Sequence, residues 1–232
     1  MICPDCKSIN LKKNGLKRGK QNHICSDCGR QFIDVYSERG YPQEVKKRCL
    51  HLYLEGNGFR RIERLTGVSH NTVINWVKKA GNSLSTEPDY YEIPEIAQID
   101  ELQTYVAKKN KIWLWTVVNK AIAGIIAWVI GNRSAETFKP LWQIVKGWQC
   151  FFYVTDGYVV YPQFIEDADH IVNKTYMTRV EGENTRLRHY LARLHRKTLC
   201  YSKSVEMLNL SVRLVVYYLK HKTVPLPPCI IP

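Results

Sequence analysis

A chain of 232 residues, 45% apolar and 24% charged, is long enough for one sizeable core plus one or two small modules, and too apolar to stay unfolded. The longest greasy run, Ala121 to Ile130, is too short to cross a bilayer, and Cys3, Asp5 and Cys6 stand where a secretion signal would need a charged and then a greasy stretch; a soluble cytoplasmic protein with no membrane partner is expected. The net charge of +13 is uneven, at +7 over residues 1–90, −2 over 91–172 and +8 over 173–232, which suits a polyanion gripped on both sides of a metal site better than a surface charged only for solubility.

Four of the eight cysteines form two tight pairs, Cys3-Pro4-Asp5-Cys6 and Cys25-Ser26-Asp27-Cys28, with 18 residues between them. That is the spacing of a four-cysteine Zn²⁺ site, in which each knuckle aims two thiolates at one ion. A redox role for C-x-x-C fits less well, because two matched pairs need explaining and no βαβ pattern surrounds either. Residues 1–40 are thus expected to be a zinc-binding domain that owes its folding to the metal, with Lys12, Lys13, Lys17, Arg18 and Lys20 on the intervening loop facing phosphates.

Residues 41–81 turn helical. Val45, Cys49, Leu52 and Tyr53 gather near one face of a first helix, which Gly56 and Gly58 end; a short second helix runs through Phe59, Ile62 and Leu65 to Thr66-Gly67. Ser69 caps a third, with Val73, Trp76 and Val77 on its apolar side. Two short helices joined at a glycine turn predict a helix-turn-helix DNA-binding domain. Its third helix would set Ser69, His70, Asn71, Thr72 and Asn75 near base edges in the major groove of double-stranded DNA, and Lys78 and Lys79 near phosphates.

Residues 82–94, with Ser83, Ser85, Thr86, Pro88, Asp89 and Pro94, read as a linker. Beyond it, Ile96 to Ala107, Ile112 to Asn119 and Ile122 to Ile130 are β-prone runs spaced as consecutive hairpins, with Trp113, Trp115 and Val117 on one face. Ser134 caps a helix through Phe138, Leu141, Trp142 and Val145, Gly147 ends it, and Cys150 to Thr155 form a fourth strand. Three strands, a helix and a strand is how a ribonuclease-H-like domain begins, so 95–232 are expected to form such a domain with a mixed sheet and basic C-terminal helices. The whole is an α+β multidomain protein.

In that topology the first strand lies beside the fourth, bringing Asp100 to face Asp156. Neither carboxylate would be tolerated there without a partner, and hard oxygen ligands suit Mg²⁺ or Mn²⁺. Two such ions about 4 Å apart activate a water or 3′-hydroxyl and steady the leaving oxygen of a phosphodiester. A third acid is expected on the helix whose stripe is Val180, Asn184, Leu187, Leu191 and Leu194; at 100° per residue Glu183 lies nearer that stripe than Glu181, and the pattern leaves both open. Glu166, Asp167 and Asp169 read as a solvated loop. Arg186, Arg188, Arg193, Arg196, Lys197 and Lys203 follow on or after the same helix as a candidate clamp on DNA backbones.

These segments together resemble transposases of the insertion sequence one family, which are DDE-type enzymes. The most specific matches are Asp100-Glu101-Leu102, Arg133-Ser134-Ala135-Glu136-Thr137, Thr155-Asp156-Gly157 and Leu191-Ala192-Arg193-Leu194-His195-Arg196-Lys197-Thr198. The resemblance implies catalytic residues Asp100, Asp156 and, with 24 residues between it and the second aspartate, Glu181. It implies metal-dependent cleavage at the ends of a mobile element and attack of the freed 3′-hydroxyls on target DNA. Two ends processed together imply at least a homodimer in the active complex. The rival expectations are a non-catalytic DNA-binding regulator and a nuclease that hydrolyses without joining strands.

Overall fold

The computed structural model describes residues 1–33, 40–85, 93–107, 110–195 and 198–226. Arg196, Lys197, most of the expected linker, Lys108 and Lys109 between two of the expected strands, and the last six residues of the proline-rich tail lie outside them. The chain divides into two compact units, Met1–Pro42 and Gln43–Pro232.

In the first unit, β1 (Leu11–Lys17), β2 (Lys20–Cys25) and β3 (Gln31–Ile33) form an antiparallel sheet in that order. Arg18 and Gly19 turn the first hairpin, both at positive φ (53° and 76°), the twist a two-residue hairpin requires. The two cysteine knuckles repeat one backbone arrangement: the N–H of Lys7 donates to the carbonyl of Cys3 at 3.0 Å, and that of Gly29 to Cys25 at 3.0 Å. Lys7 and Gly29 both take a left-handed conformation (φ 61° and 75°) to make that turn.

The second unit begins with α1 (Gln43–Leu54), α2 (Phe59–Thr66) and α3 (His70–Asn82). Gly67, at φ 72°, ends α2 with its N–H on the carbonyl of Glu63. There follow β4 (Ile96–Val106), β5 (Asn110–Asn119), β6 (Ile125–Gly131), α4 (Ala135–Lys146), β7 (Phe152–Thr155), β8 (His170–Val172), α5 (Thr178–Tyr190) and α6 (Val205–His221). The sheet order is β6-β5-β4-β7-β8, antiparallel from β4 to β6 and parallel across β4, β7 and β8, so it is mixed, with the first strand of the unit beside the fourth.

The pleat sorts the core into two layers. On one face Ala97, Ile99, Trp115 and Val117 pack with Phe138, Leu141, Trp142 and Val145 of α4. On the other, Leu102, Leu114 and Val154 pack with Val180 and Leu187 of α5, with α6, and with Leu50, Ile62, Val73 and Val77 of α1 to α3. The three N-terminal helices therefore share a core with the sheet instead of standing apart behind a linker. Helix α6 binds them: Tyr53 and Ser211 share a buried hydroxyl hydrogen bond at 2.6 Å, and a side chain at Gly81 would stand 3.0 Å from Leu210. The same helix reaches the sheet through Trp128, whose indole N–H donates to Asn209 at 2.9 Å.

One local expectation is revised: helix α5 stops at Tyr190, because Leu191 is extended (φ −117°, ψ 109°), although Leu191 and Leu194 stay buried as the stripe required. The 166–169 segment is the expected turn, with Glu166 and Asp167 exposed, and it leads directly into a short edge strand, β8, whose three residues give too little pattern to stand out.

Candidate functional site

Strand β4 carries two adjacent acids, and its pleat sends them to opposite faces. Glu101 points to the α4 side, where Tyr161 donates to its Oε2 at 2.6 Å and Arg133 donates through Nε at 2.9 Å. Arg133 lies against the rings of Trp113 and Tyr158, at 4.6 and 3.7 Å from their centroids. Burial lifts the Glu101 carboxyl, and the Tyr161 and Arg133 hydrogen bonds draw it back; Tyr161, itself buried, is pushed well above its ordinary range. This is a closed structural pair.

Asp100 points to the α5 side. Its Oδ2 accepts from the amide of Asn184 at 2.8 Å, and the hydroxyl of Thr116, across on β5, donates to the other end of that amide at 2.9 Å. Burial raises the Asp100 carboxyl above the usual range, Asn184 and the backbone N–H of Glu101 oppose the rise, and the charges of Asp156 and Glu181 add to it. Asp100 thus feels the charge of both other acids.

Asp156 follows β7 directly. Parallel pairing sets Gln98 beside Val154, Asp100 and Asp156 each follow two residues on, and the charge of Asp156 is felt at Asp100. The tip is held firmly. Thr155 Oγ1 bonds His170 Nε2 at 2.7 Å and accepts from the N–H of Gly157, while Asp156 Oδ1 accepts from the N–H of Tyr158 at 2.9 Å. Gly157 is needed twice over, since φ is +81° and a Cβ would meet Val172 Cγ1 at 2.5 Å.

Helix α5 is pinned to β4 on either side of Glu181. Gln98 accepts from the N–H of Val180 at 3.0 Å and donates to the carbonyl of Tyr176, satisfying a first-turn amide that the helix itself cannot. One turn on, Asn184 makes its bond to Asp100. Between these anchors Glu181 is exposed in the first turn, whereas Glu183 is buried, accepting from the N–H of Gly124 at 3.1 Å and from Arg186 at 2.8 Å. The wheel that brought Glu183 nearer the core stripe read its burial correctly, and the structure adds that its carboxylate is matched by an arginine.

A contrast emerges among five neighbouring acids. Glu101 and Glu183 each have an arginine; among the described residues no basic side chain pairs with Asp100, Asp156 or Glu181. The trio is not drawn as tight as a single-ion cage: among the described residues, the group of metal-ligating side chains whose ligand atoms all lie within 4.8 Å of one another is the four cysteines. Three unmatched carboxylates, one of them elevated by burial and by the other two, are a donor set that hard divalent cations fit.

In the N-terminal unit, Cys3 Sγ lies 3.5 Å from Cys28 Sγ, and Cys6 Sγ 3.5 Å from Cys25 Sγ. Tetrahedral thiolates at about 2.3 Å from one zinc ion stand at nearly this separation. The N–H of Cys6 draws the Cys3 thiol down to about 7. Cys6 is pushed up to about 12 in spite of the N–H of Ser8, because Cys28, Cys25 and Cys3 surround it. A divalent cation at the centre removes that conflict of charge.

Of the residues expected to meet DNA, Asn71, Asn75 and Lys79 are exposed one helical turn apart on α3, Thr72 and Lys78 are half-buried beside them, and Ser69 sits exposed at the N-cap without a side-chain cap bond. His70 is partly occupied, its ring 2.9 Å from Glu63 Oε2. Lys203 is exposed and Arg188 half-buried. Two members of the expected clamp serve the fold instead. Arg186 pairs with Glu183, and Arg193, 7% exposed, donates to Ser202 at 2.7 Å and lies 5.1 Å from the Phe59 ring centroid. Asn184 was legible only as a polar break in an apolar stripe; its place between Thr116 and Asp100 comes from the structure.

Residues 95–224, more than half of the chain, match a protein-family model described as IS1 transposase. The insertion element IS1 protein InsB of Shigella flexneri is 33% identical over 127 residues, covering 54% of this chain and 95% of that protein, and its Shigella sonnei counterpart gives the same figures. The insertion element IS1 9 protein InsB of Escherichia coli (strain K12) is also 33% identical over 127 residues, with 74% of its length covered.

Proposed function

The chain belongs to the IS1 transposase family, and we propose that it binds the ends of its element, cleaves their strands and joins the 3′ ends to target DNA, with Asp100, Asp156 and Glu181 holding Mg²⁺ or Mn²⁺. The observation that carries this reading is the unpaired state of those three carboxylates beside two neighbours, Glu101 and Glu183, that are each matched by arginine. Divalent ions bound there would acidify an attacking water or 3′-hydroxyl and offset charge on the leaving oxygen.

The residues of the chain supply position. Gln98 and Asn184 fix the first turn of α5 against β4, which holds Glu181 at a set distance from Asp100. Thr155 and Gly157 fix the tip of β7 and with it Asp156. The sheet order, with its parallel β4, β7 and β8, supports a ribonuclease-H-like fold for the catalytic half. Helices α2 and α3 serve as the helix-turn-helix, reading base edges through Asn71 and Asn75, with Lys79 on phosphate. The four cysteines hold a structural Zn²⁺, and the active complex is at least a dimer in the cytoplasm.

Strand cleavage and joining of a labelled element-end duplex with Mn²⁺ tests the reading. Asp156→Asn and Glu181→Gln should bind DNA and neither cut nor join, while Glu183→Gln keeps some chemistry if folded. Loss in Glu183→Gln alone would move the third ligand; cutting without joining by the wild type would make the protein a nuclease.

A further inference from the structure

The run Arg133-Ser134-Ala135-Glu136-Thr137 carries much of the family likeness, yet neither metal binding nor DNA reading uses it. It joins β6 to α4, and the joint is stiff. Asn132 donates its N–H to Thr137 Oγ1 at 3.1 Å, its carbonyl accepts from the Trp115 indole at 3.1 Å, and a Cβ on Gly131 would meet Thr137 Cγ2 at 2.5 Å. From this joint Arg133 reaches both segments that bear the aspartates. Its guanidinium bonds Glu101, the residue after Asp100, and lies 3.7 Å from the ring centroid of Tyr158, which closely follows Asp156. The Tyr158 hydroxyl donates to the Arg133 carbonyl at 3.0 Å, and the Tyr158 N–H donates to Asp156 Oδ1 at 2.9 Å. The Arg133 guanidinium is held above its ordinary range: burial pulls it down, the Glu101 carboxylate outweighs that, and the charge of Asp156 adds to the rise.

We propose that Arg133 is a positioning residue, a strut on the α4 face that sets the spacing of Asp100 and Asp156. The inference rests on the reading of those acids as metal ligands. The parallel ladder between β4 and β7 ends at Gln98 and Val154, so backbone pairing between these strands reaches neither acid. At Asp100, β4 is held by β5 through Thr116, and β7 gives way after Thr155 to the tip at Gly157. What spans the interval is side chain: Glu101 to Arg133 to Tyr158, and Glu101 to Tyr161 at 2.6 Å. Arginine suits the place, because its planar fork takes the carboxylate while its face packs on an aromatic ring; a lysine would bring a point charge and no plane. The neighbouring acids of β4 thereby divide the work, Asp100 turned to the metal and Glu101 to the strut that places it.

The test uses the full zinc-loaded chain and the double variant Arg133→Ala with Glu101→Gln, which removes the pair without changing net charge and leaves no carboxylate buried alone. Mn²⁺ titration followed by electron paramagnetic resonance, with Asp156→Asn as the blank, should show affinity falling roughly ten- to a hundredfold, the effect of losing a group that orients a metal ligand. In the Mn²⁺-free chain the Tyr158 amide should exchange its hydrogen roughly two- to tenfold faster, the weight of one ordinary hydrogen bond, while amides within α6 keep wild-type rates. Tyr158→Leu breaks the other end and should weaken Mn²⁺ binding as much; combined with the double variant it should cost little more, since both ends belong to one strut. A folded double variant with wild-type Mn²⁺ affinity overturns the proposal. So does weaker affinity with Tyr158 exchanging at the wild-type rate, or losses that simply add. If the wild type shows no Mn²⁺ site that Asp156→Asn removes, the reading of the acids fails, and exchange at Tyr158 still decides whether Arg133 fixes the tip.

Discussion

Replacing Asn184 with leucine removes the amide that links Thr116 to Asp100 while keeping the buried volume filled. Asn184 is 5% exposed and its bond to Asp100 is 2.8 Å, so no water takes its place without a cavity. A hydrogen bond to a charged group contributes about 1.5–3 kcal/mol. Losing it from the ionised form of Asp100 costs the site that much in its metal-ready state, or roughly 10- to 150-fold in Mg²⁺ affinity. The effect on folding is smaller, because the Thr116 hydroxyl still has the carbonyl of Asp100 at 3.3 Å. Strand cleavage of an end duplex, followed across Mg²⁺ concentration and pH, reads the consequence. The Mg²⁺ midpoint should rise by one to two orders of magnitude, and the acid limb should move to higher pH, because a force that lowers the Asp100 carboxyl is gone. A folded Asn184→Leu protein with the wild-type Mg²⁺ midpoint and acid limb would refute the positioning role.

Other perturbations have equally definite outcomes. The Asp100 carboxyl lies above its unfolded value, so its contribution is harmless while both states are protonated and turns destabilising as pH rises from the ordinary carboxylate range through the elevated one; urea midpoints of the metal-free chain should fall across that window, and less steeply in Asp100→Asn. Zinc chelation should unfold Met1–Pro42 and leave Gln43–Pro232 intact, read by limited proteolysis. Arg133→Ala abandons a buried carboxylate and should cost about 3–5 kcal/mol in thermal or urea unfolding, with Glu101→Gln in the same chain recovering most of it. Gly157→Ala should lower cleavage at least tenfold by moving Asp156; adding Val172→Ala relieves the contact but not the positive φ, so recovery should be partial.

The features that read well from sequence are those written in local pattern. Two cysteine pairs specify a metal cluster by spacing alone, and runs rich in Val, Ile, Trp and Tyr announce β4, β5 and β6 within a few residues. The burial of Glu183 followed from helical periodicity. What resisted reading depends on contacts distant in the chain. Arg193 carries the same charge as a phosphate-binding arginine, and only the arrival of Ser202 and of the Tyr53 and Phe59 rings makes it a core residue. Serines, prolines and acids near residue 85 look like a linker because composition says nothing of α6, more than a hundred residues later, to which α1 and α3 attach.

That attachment through α6 makes the second unit a ruler. If α3 reads DNA and the acids cut it, the interval between the base pairs recognised and the bond broken is set by protein and not by flexible chain. Each inserted base pair would displace the cleavage point by about 3.4 Å and rotate it about the DNA axis by roughly a tenth of a turn. An element end lengthened between its recognised sequence and its terminus should therefore be cut at the old distance, inside the insertion, and an insertion of a whole helical turn should not bring the cut back to the terminus.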